Sequence, residues 1–173
     1  MTLDGIFDHT AAIPDEKIHQ HYTELLEQGD AILYGRTTYQ LMEFWRTLVE
    51  NPSEEKSMND FAKAIDKIPK IVFSRTLKNV EWKSATVAKH DLKEEVLELR
   101  KQPGKDILVG SRSLIIQLMK LNLIDEYQLC IHPVVAGHGL PLFENINYRT
   151  ILKLIKTKSF SGGAIILYYE PKK

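Results

Sequence analysis

Cysteine is almost missing from this sequence. Cys130 is the single copy, so no internal disulfide can form and no cluster of thiols can hold zinc. It sits in the apolar run Tyr127-Gln-Leu-Cys-Ile131, where a buried, inert core thiol is expected. No charge of one sign is in excess: 23 Lys and Arg balance 23 Asp and Glu. A nucleic-acid binder usually carries a basic surplus on one face, and no basic stripe interleaved with aromatics is present, so no nucleic-acid partner is expected. Neutrality favours association, which makes a homodimer the expected assembly. No apolar stretch approaches the length of a membrane span, and no basic segment followed by an apolar core opens the chain. A cytoplasmic protein with no membrane partner is the expectation. Internal repeats, low-complexity tracts and Gly/Ser linkers are lacking too. What remains is 173 residues, 43% hydrophobic and 27% charged, which predicts one soluble domain over residues 1–173 with a sizeable core.

The pattern along the chain alternates between helix and strand. Pro14-Asp15-Glu16 reads as a helix start, followed by Ile18, Tyr22, Leu25 and Leu26 at helical spacing and by Gly29 as the stop. Ala31–Tyr34 reads as a short apolar strand running into Gly35-Arg-Thr-Thr38, with a helix from Tyr39 to Trp45. Met58, Phe61, Ala62 and Ile65 mark a helix that stops before Pro69, and Lys70–Phe73 is the next strand. Asp91 and Glu94 have capping-box spacing ahead of Leu92, Val96 and Leu99. Asp106–Val109 is a strand that opens into Gly110-Ser-Arg-Ser113, and Leu114, Ile115, Leu118 and Met119 form a helical stripe. From Glu126 the rhythm changes to strands: Tyr127, Leu129 and Ile131 alternate, a loop spans 133–141, and strand-like segments near 151–160 and 164–170 flank Ser161-Gly-Gly163. Repeated strand–helix units require parallel pairing with crossovers, and the final hairpin adds antiparallel strands. A mixed sheet with helices on both faces is therefore predicted.

Three places share one form, an apolar strand followed by a turn of small or polar residues: Tyr34-Gly-Arg-Thr-Thr38, Phe73-Ser-Arg-Thr76 and Val109-Gly-Ser-Arg-Ser113. Ligands of open α/β sheets bind at the carboxyl ends of strands. A helix start there offers free N–H groups and partial positive charge, glycine permits close approach, and hydroxyls and Arg contact anionic oxygens. Any one such turn is also what an ordinary helix cap looks like. Three at one end of one sheet point to a phosphate-bearing ligand. None matches the G-x-G-x-x-G or Walker patterns.

Taken in order, Thr2-Leu-Asp-Gly5, Leu33-Tyr-Gly-Arg-Thr-Thr-Tyr39, Ile71-Val-Phe-Ser-Arg-Thr76, Ile107-Leu-Val-Gly-Ser111 and Pro133-Val-Val-Ala-Gly-His-Gly-Leu-Pro-Leu-Phe143 resemble the dihydrofolate-reductase-like family. This family includes the C-terminal reductase domain of the bacterial bifunctional deaminase-reductase of riboflavin biosynthesis. The resemblance implies a three-layer α/β/α dihydrofolate-reductase-like fold, with a mixed, mostly parallel sheet and a C-terminal antiparallel hairpin. It implies NADPH as cofactor; no metal site is expected from the sequence. By that likeness Gly35, Arg36, Thr37 and Thr38 lie along the cofactor's phosphates. Ser74, Arg75 and Thr76 face the adenosine 2′-phosphate, a role that suits the guanidinium fork. Gly110, Ser111, Arg112 and Ser113 meet the pyrophosphate. Gly137 and Gly139 shape a loop beside nicotinamide or substrate, or serve as a plain turn.

The substrate side is thinner. Reduction of a C=N or C=O group needs a proton donor and a dry site. Asp15, Glu16 and His19 occupy the region where dihydrofolate reductase carries its acid, and Asp15 is the one catalytic candidate. Acids at a helix start are also ordinary dipole partners, and His19 reads as exposed. Asp4 is expected to brace its turn by hydrogen bonds to backbone, while His132 and His138 flank the glycine loop. In the family the Leu-Asp-Gly turn normally follows a strand; here it lies almost at Met1, so either a first strand is lacking or the sheet closes without it. Two readings follow: an NADPH-dependent reductase of a small heterocycle (a pteridine such as dihydrofolate, or a ribosylamino-pyrimidine riboflavin precursor), and a dimeric nucleotide-binding protein that does not turn over.

Overall fold

The computed structural model describes residues 1–7, 9–11 and 15–172. Pro14, read as part of the first helix start, lies outside them. Two compact units make up the chain, one formed by Glu16–Ile115 and one by Met1–Asp15 with Ile116–Lys173.

The Glu16–Ile115 unit begins with helix α1 (Glu16–Gln28), strand β1 (Gly29–Gly35), helices α2 (Arg36–Glu50) and α3 (Lys56–Lys67) and strand β2 (Lys70–Phe73). Strand β3 (Ala85–Val87), helix α4 (Leu92–Arg100) and strand β4 (Asp106–Val109) follow, and helix α5 (Arg112–Lys120) starts here. The four strands form an all-parallel sheet in the order β3-β2-β1-β4. Such a sheet must be covered on both faces, and β1 meets that demand. Ile32 and Tyr34 join Leu26, Tyr39, Ile65, Val72 and Trp82 in one cluster. On the alternate face Ala31 and Leu33 are buried as well, Leu33 at 0% exposure. Strands β2 and β4 have the bounds their apolar runs predict. Helix α2 starts at Arg36, not near Tyr39, so Arg36, Thr37 and Thr38 form its first turn. Strand β3 was not predicted, being three residues long and recognisable only through its pairing with β2. Asp91 caps α4 as its spacing implied, its Oδ1 accepting from Glu94 N at 2.9 Å.

Two residues depart from their sequence reading. His19 is half-buried, not exposed, and packs against Trp45 and Phe61 with ring centroids 5.8 and 6.1 Å away; its place on the apolar side of α1 puts it among aromatic rings. Lys70, read only as the first residue of a strand, is buried at 1% exposure. Its Nζ donates to Ser84 Oγ at 2.7 Å, Ile68 O at 2.9 Å and Asp66 O at 3.3 Å, and lies 4.0 Å from the centre of the Trp82 ring. These contacts offset the desolvation that burial imposes.

The second unit holds β5 (Tyr127–Ile131), β6 (Leu152–Ser159) and β7 (Ile165–Pro171), antiparallel in the order β5-β7-β6. The C-terminal hairpin is present as predicted. It pairs with β5 in a sheet of its own, a choice of neighbour that strand periodicity does not encode. Met1 runs beside the end of β5, its carbonyl accepting from His132 N at 2.9 Å and its amine donating to Cys130 O at 2.7 Å. The segment that follows is stitched to the 133–142 loop through Leu3 N to Val134 O, Phe7 N to Leu140 O and Leu142 N to Gly5 O, at 2.7, 2.7 and 2.9 Å. No described helix is long and apolar enough to cross a membrane.

Candidate cofactor-binding site

Parallel pairing sets three turns side by side. Gly35 is in register with Phe73 of β2, and Leu33 with Val109 of β4, so the chain leaves β2, β1 and β4 at one edge of the sheet. Two of the exits feed helices directly, α2 from Gly35 and α5 from Ser111. The third, after β2, is a loop folded on Ser74, whose Oγ accepts from Leu77 N at 2.9 Å and Thr76 N at 3.2 Å.

Gly35 is the N-cap of α2, and among the described residues no side-chain cap bond is made at that helix start. The first-turn amides of Arg36, Thr37 and Thr38 thus keep the orphan character of a helix start and its partial positive charge. Gly35 N–H itself donates to Ser111 Oγ at 2.8 Å in a buried bond that ties the end of β1 to the turn after β4. A Cβ on Gly35 would stand 3.3 Å from Ser113 Oγ and 3.9 Å from Ser111 Cβ. The φ of −79° suits any residue, so what favours glycine here is the close approach of the two turns, which a longer side chain would fill. Ser111 is 1% exposed, and its carbonyl accepts from Leu114 N and Ile115 N as α5 begins. Gly110 serves a neighbour: a Cβ there would lie 3.1 Å from Tyr34 Cε1. Burial of Tyr34 pushes its phenol far up, so it stays neutral.

The guanidinium of Arg36 reaches from α2 to the β2 loop, Nη1 donating to Thr76 Oγ1 at 2.8 Å. Arg75 is exposed in the same loop. Arg112 is half-buried, Ser113 exposed, and Thr37 and Thr38 exposed and half-buried. The structure therefore brings together Gly35 to Thr38, Ser74 to Thr76 and Gly110 to Ser113. Two helix starts, several hydroxyls and cationic side chains share one sheet edge, an arrangement suited to anionic oxygens. The Ser111–Gly35 and Arg36–Thr76 links were not readable in advance, because their partners are 76 and 40 residues apart in sequence.

Gly137 and Gly139 belong to the other unit. Asp4, expected to brace its own turn, also braces this distant loop: its carboxylate accepts from Thr2 Oγ1 at 2.6 Å, Gly137 N at 2.8 Å and Ala136 N at 3.2 Å. These bonds, the Thr2 hydroxyl foremost, hold the Asp4 carboxyl down to about 2. Gly137 has φ +75° and Gly139 φ +133°, left-handed values that favour glycine, and a Cβ on Gly139 would meet Ile6 Cγ2 at 2.5 Å. Asp15, half-buried ahead of α1, has its carboxylate against the hairpin turn, where a Cβ on Gly162 would stand 3.0 Å from Asp15 Oδ2. His138 is exposed, whereas His132 is buried with Nε2 3.7 Å from the buried Cys130 Sγ. Among the described residues no three His, Cys, Asp or Glu side chains are grouped to hold a metal ion.

Comparison with known proteins extends the geometry. The family model for the RibD C-terminal domain matches residues 1–167. The uncharacterized protein YyaP of Bacillus subtilis (strain 168) is 38% identical over 98% of this chain and 90% of its own length. A protein from Shewanella sp. PV-4 named for riboflavin biosynthesis superposes with a TM-score of 0.73 at 19% identity, over 99% of this chain and 95% of that one. The diaminohydroxyphosphoribosylaminopyrimidine deaminase/5-amino-6-(5-phosphoribosylamino)uracil reductase of Thermotoga maritima superposes with a TM-score of 0.65 at 17% identity, over 99% of this chain and 54% of that one. These structural likenesses establish the fold, a dihydrofolate-reductase-like one.

Proposed function

Because the chain belongs to the RibD C-terminal domain family, we propose that it is an NADPH-dependent reductase of a small heterocyclic substrate. One observation carries this reading: the β2, β1 and β4 exits lie side by side, the start of α2 has no side-chain cap bond from Gly35, Arg36 links its first turn to the β2 loop, and Arg75 is exposed in that loop. The residues present fit a dinucleotide. Gly35 leaves the start of α2 without a side chain at its cap, and the Arg36–Thr76 bond holds a cation at the junction of the β1 and β2 exits.

When bound, the reduced dinucleotide would supply the hydride; the chain's own part is to bind and orient. Amides of Arg36, Thr37 and Thr38 would take phosphate oxygens at the start of α2. Ser74, Arg75 and Thr76 would take the 2′-phosphate that separates NADPH from NADH, with Arg75 as the main cation. Gly110, Arg112 and Ser113 would line the pyrophosphate path, with the Ser111 hydroxyl turned inward to Gly35 N. Asp15 is the acid we put forward for the substrate side. Substrates of this chemistry include a dihydropteridine and a ribosylamino-pyrimidine, the latter in keeping with the reductase named for Thermotoga maritima.

The test is oxidation of NADPH, followed by loss of its absorbance, with dihydrofolate and with the ribosylamino-pyrimidine as separate substrates. Turnover with either establishes the reductase. Tight NADPH binding with no turnover across a broad panel would instead assign the non-catalytic nucleotide-binding role.

A further inference from the structure

We propose that Ser111 is a positioning residue, one that sets nicotinamide-dinucleotide affinity through the backbone of Gly35 and not by touching the phosphates. The inference rests on the reading that the three strand exits hold the cofactor. It starts from a contrast between the hydroxyls at those exits. Thr37 and Ser113 are exposed, whereas Ser111 is 1% exposed. Its oxygen lies 2.8 Å from Gly35 N and accepts that hydrogen. The bond joins two points that matter to an anion. Gly35 is the N-cap of α2, and Ser111 directly precedes α5. One hydroxyl thus couples the two helix starts that open at this sheet edge.

The coupling is tight for a geometric reason. Gly35 carries no side chain, so the turn after β4 comes to within van der Waals distance of the β1 exit; an added Cβ would already crowd Ser113 Oγ at 3.3 Å. Without the Ser111 oxygen, a buried N–H would lose its acceptor. Leaving a buried donor unpaired is costly, and the economical relief is for the β1 exit to move until water reaches it. Such movement rotates the first-turn amides of Arg36, Thr37 and Thr38 together, because they continue the same backbone. An anion site built from aligned amides loses affinity quickly with misalignment. The 2′-phosphate contacts lie in the β2 loop, which is folded on its own Ser74 hydroxyl. Loss of the Ser111 bond should therefore weaken NADPH and NADH by the same factor.

The test compares the intact protein with Ser111→Ala, Ser111→Thr and Ser111→Cys, each titrated calorimetrically with NADPH and with NADH well below its melting temperature. The Gly35 amide is followed in nitrogen-15 NMR spectra. Ser111→Ala should lose about tenfold or more in affinity for both cofactors, with the NADPH-to-NADH ratio kept and the Gly35 amide resonance displaced. Ser111→Thr keeps the oxygen and should restore affinity. Should Ser111→Ala not fold, Ser111→Cys, similar in shape but a weak acceptor, should show the same paired loss. A lower melting temperature with wild-type affinity for both cofactors would make Ser111 a stabilising residue only, overturning its positioning role while leaving the cofactor reading intact. A change confined to NADPH would overturn it too. If the wild-type protein binds neither cofactor, the reading of the strand exits fails and this role falls with it.

Discussion

Replacing Gly139 by alanine should destabilise the protein far more than its single added methyl suggests. Two costs combine. At φ +133° a residue with a Cβ is strained by about 1–3 kcal/mol. The new Cβ would also lie 2.5 Å from Ile6 Cγ2, well inside the roughly 3.5–4.0 Å that carbon atoms prefer. Ile6 cannot swing aside: it is 8% exposed, and the bonds Phe7 N to Leu140 O and Leu142 N to Gly5 O pin the backbone on both sides of the contact. Overpacking of this kind costs about 1–3 kcal/mol. Reduced freedom of the unfolded chain returns about 0.4–1 kcal/mol. The net loss is about 1–5 kcal/mol, a fall in Tm of roughly 2–20 °C for a chain of this size. Gly137→Ala is the matched control. Gly137 has φ +75° but nothing within 4 Å of the added Cβ, so only the left-handed strain of about 1–2 kcal/mol applies. Urea unfolding of both variants, and of Gly139→Ala combined with Ile6→Ala, separates strain from crowding. The crowding part should reappear as a coupling energy of about 1–3 kcal/mol in that double-mutant cycle. If Gly139→Ala unfolds no more readily than Gly137→Ala, the close approach of Ile6 is not what requires a glycine.

Three further outcomes are expected. Arg75→Ala should weaken NADPH by about tenfold, the scale of one charge-assisted bond to phosphate, and leave NADH nearly unchanged; equal losses in parallel titrations would remove Arg75 from the 2′-phosphate. Gly35→Val should abolish NADPH binding while circular dichroism shows the fold retained, because the branched side chain would fill the space between Gly35, Ser111 and Ser113; normal titration by the folded variant would place the phosphate elsewhere. Burial pushes the Lys70 ammonium down to about 8, below its value in the unfolded chain. Between about pH 8 and 10 the unfolded state then holds more protons, so the urea midpoint of the wild-type protein should rise with pH relative to Lys70→Met. A flat difference would mean that the Ser84, Ile68 and Asp66 contacts keep Lys70 charged.

Much of the frame was legible because local signals and tertiary environment agree. Lys70–Phe73 and Asp106–Val109 are short apolar runs between breakers, and their strands have those bounds. Asp91 three residues before Glu94 is a local cap, and it forms. What stayed hidden depends on partners distant in sequence. Strand β3 is a strand because Ala85–Val87 lies along β2. Lys70 is buried because Ser84 and Trp82 receive its ammonium, which no periodicity announces. The same holds at the site. The turns themselves were visible as Gly, Ser, Thr and Arg after strands, and parallel register then placed them together. The Ser111 bond to Gly35 and the reach of Arg36 to Thr76 belong to the folded chain alone. The substrate side was dim for a related reason: Asp15 stands in no motif, and its structural neighbour is the Gly162 turn.

Titrating the nitrogen-15-labelled protein with NADPH and mapping which amides shift shows whether three strand exits form one cradle for a nicotinamide dinucleotide. The largest shifts should fall on Arg36 to Thr38, Ser74 to Thr76 and Gly110 to Ser113, all saturating together. Shifts confined to other residues, or none at saturating NADPH, would contradict that cradle.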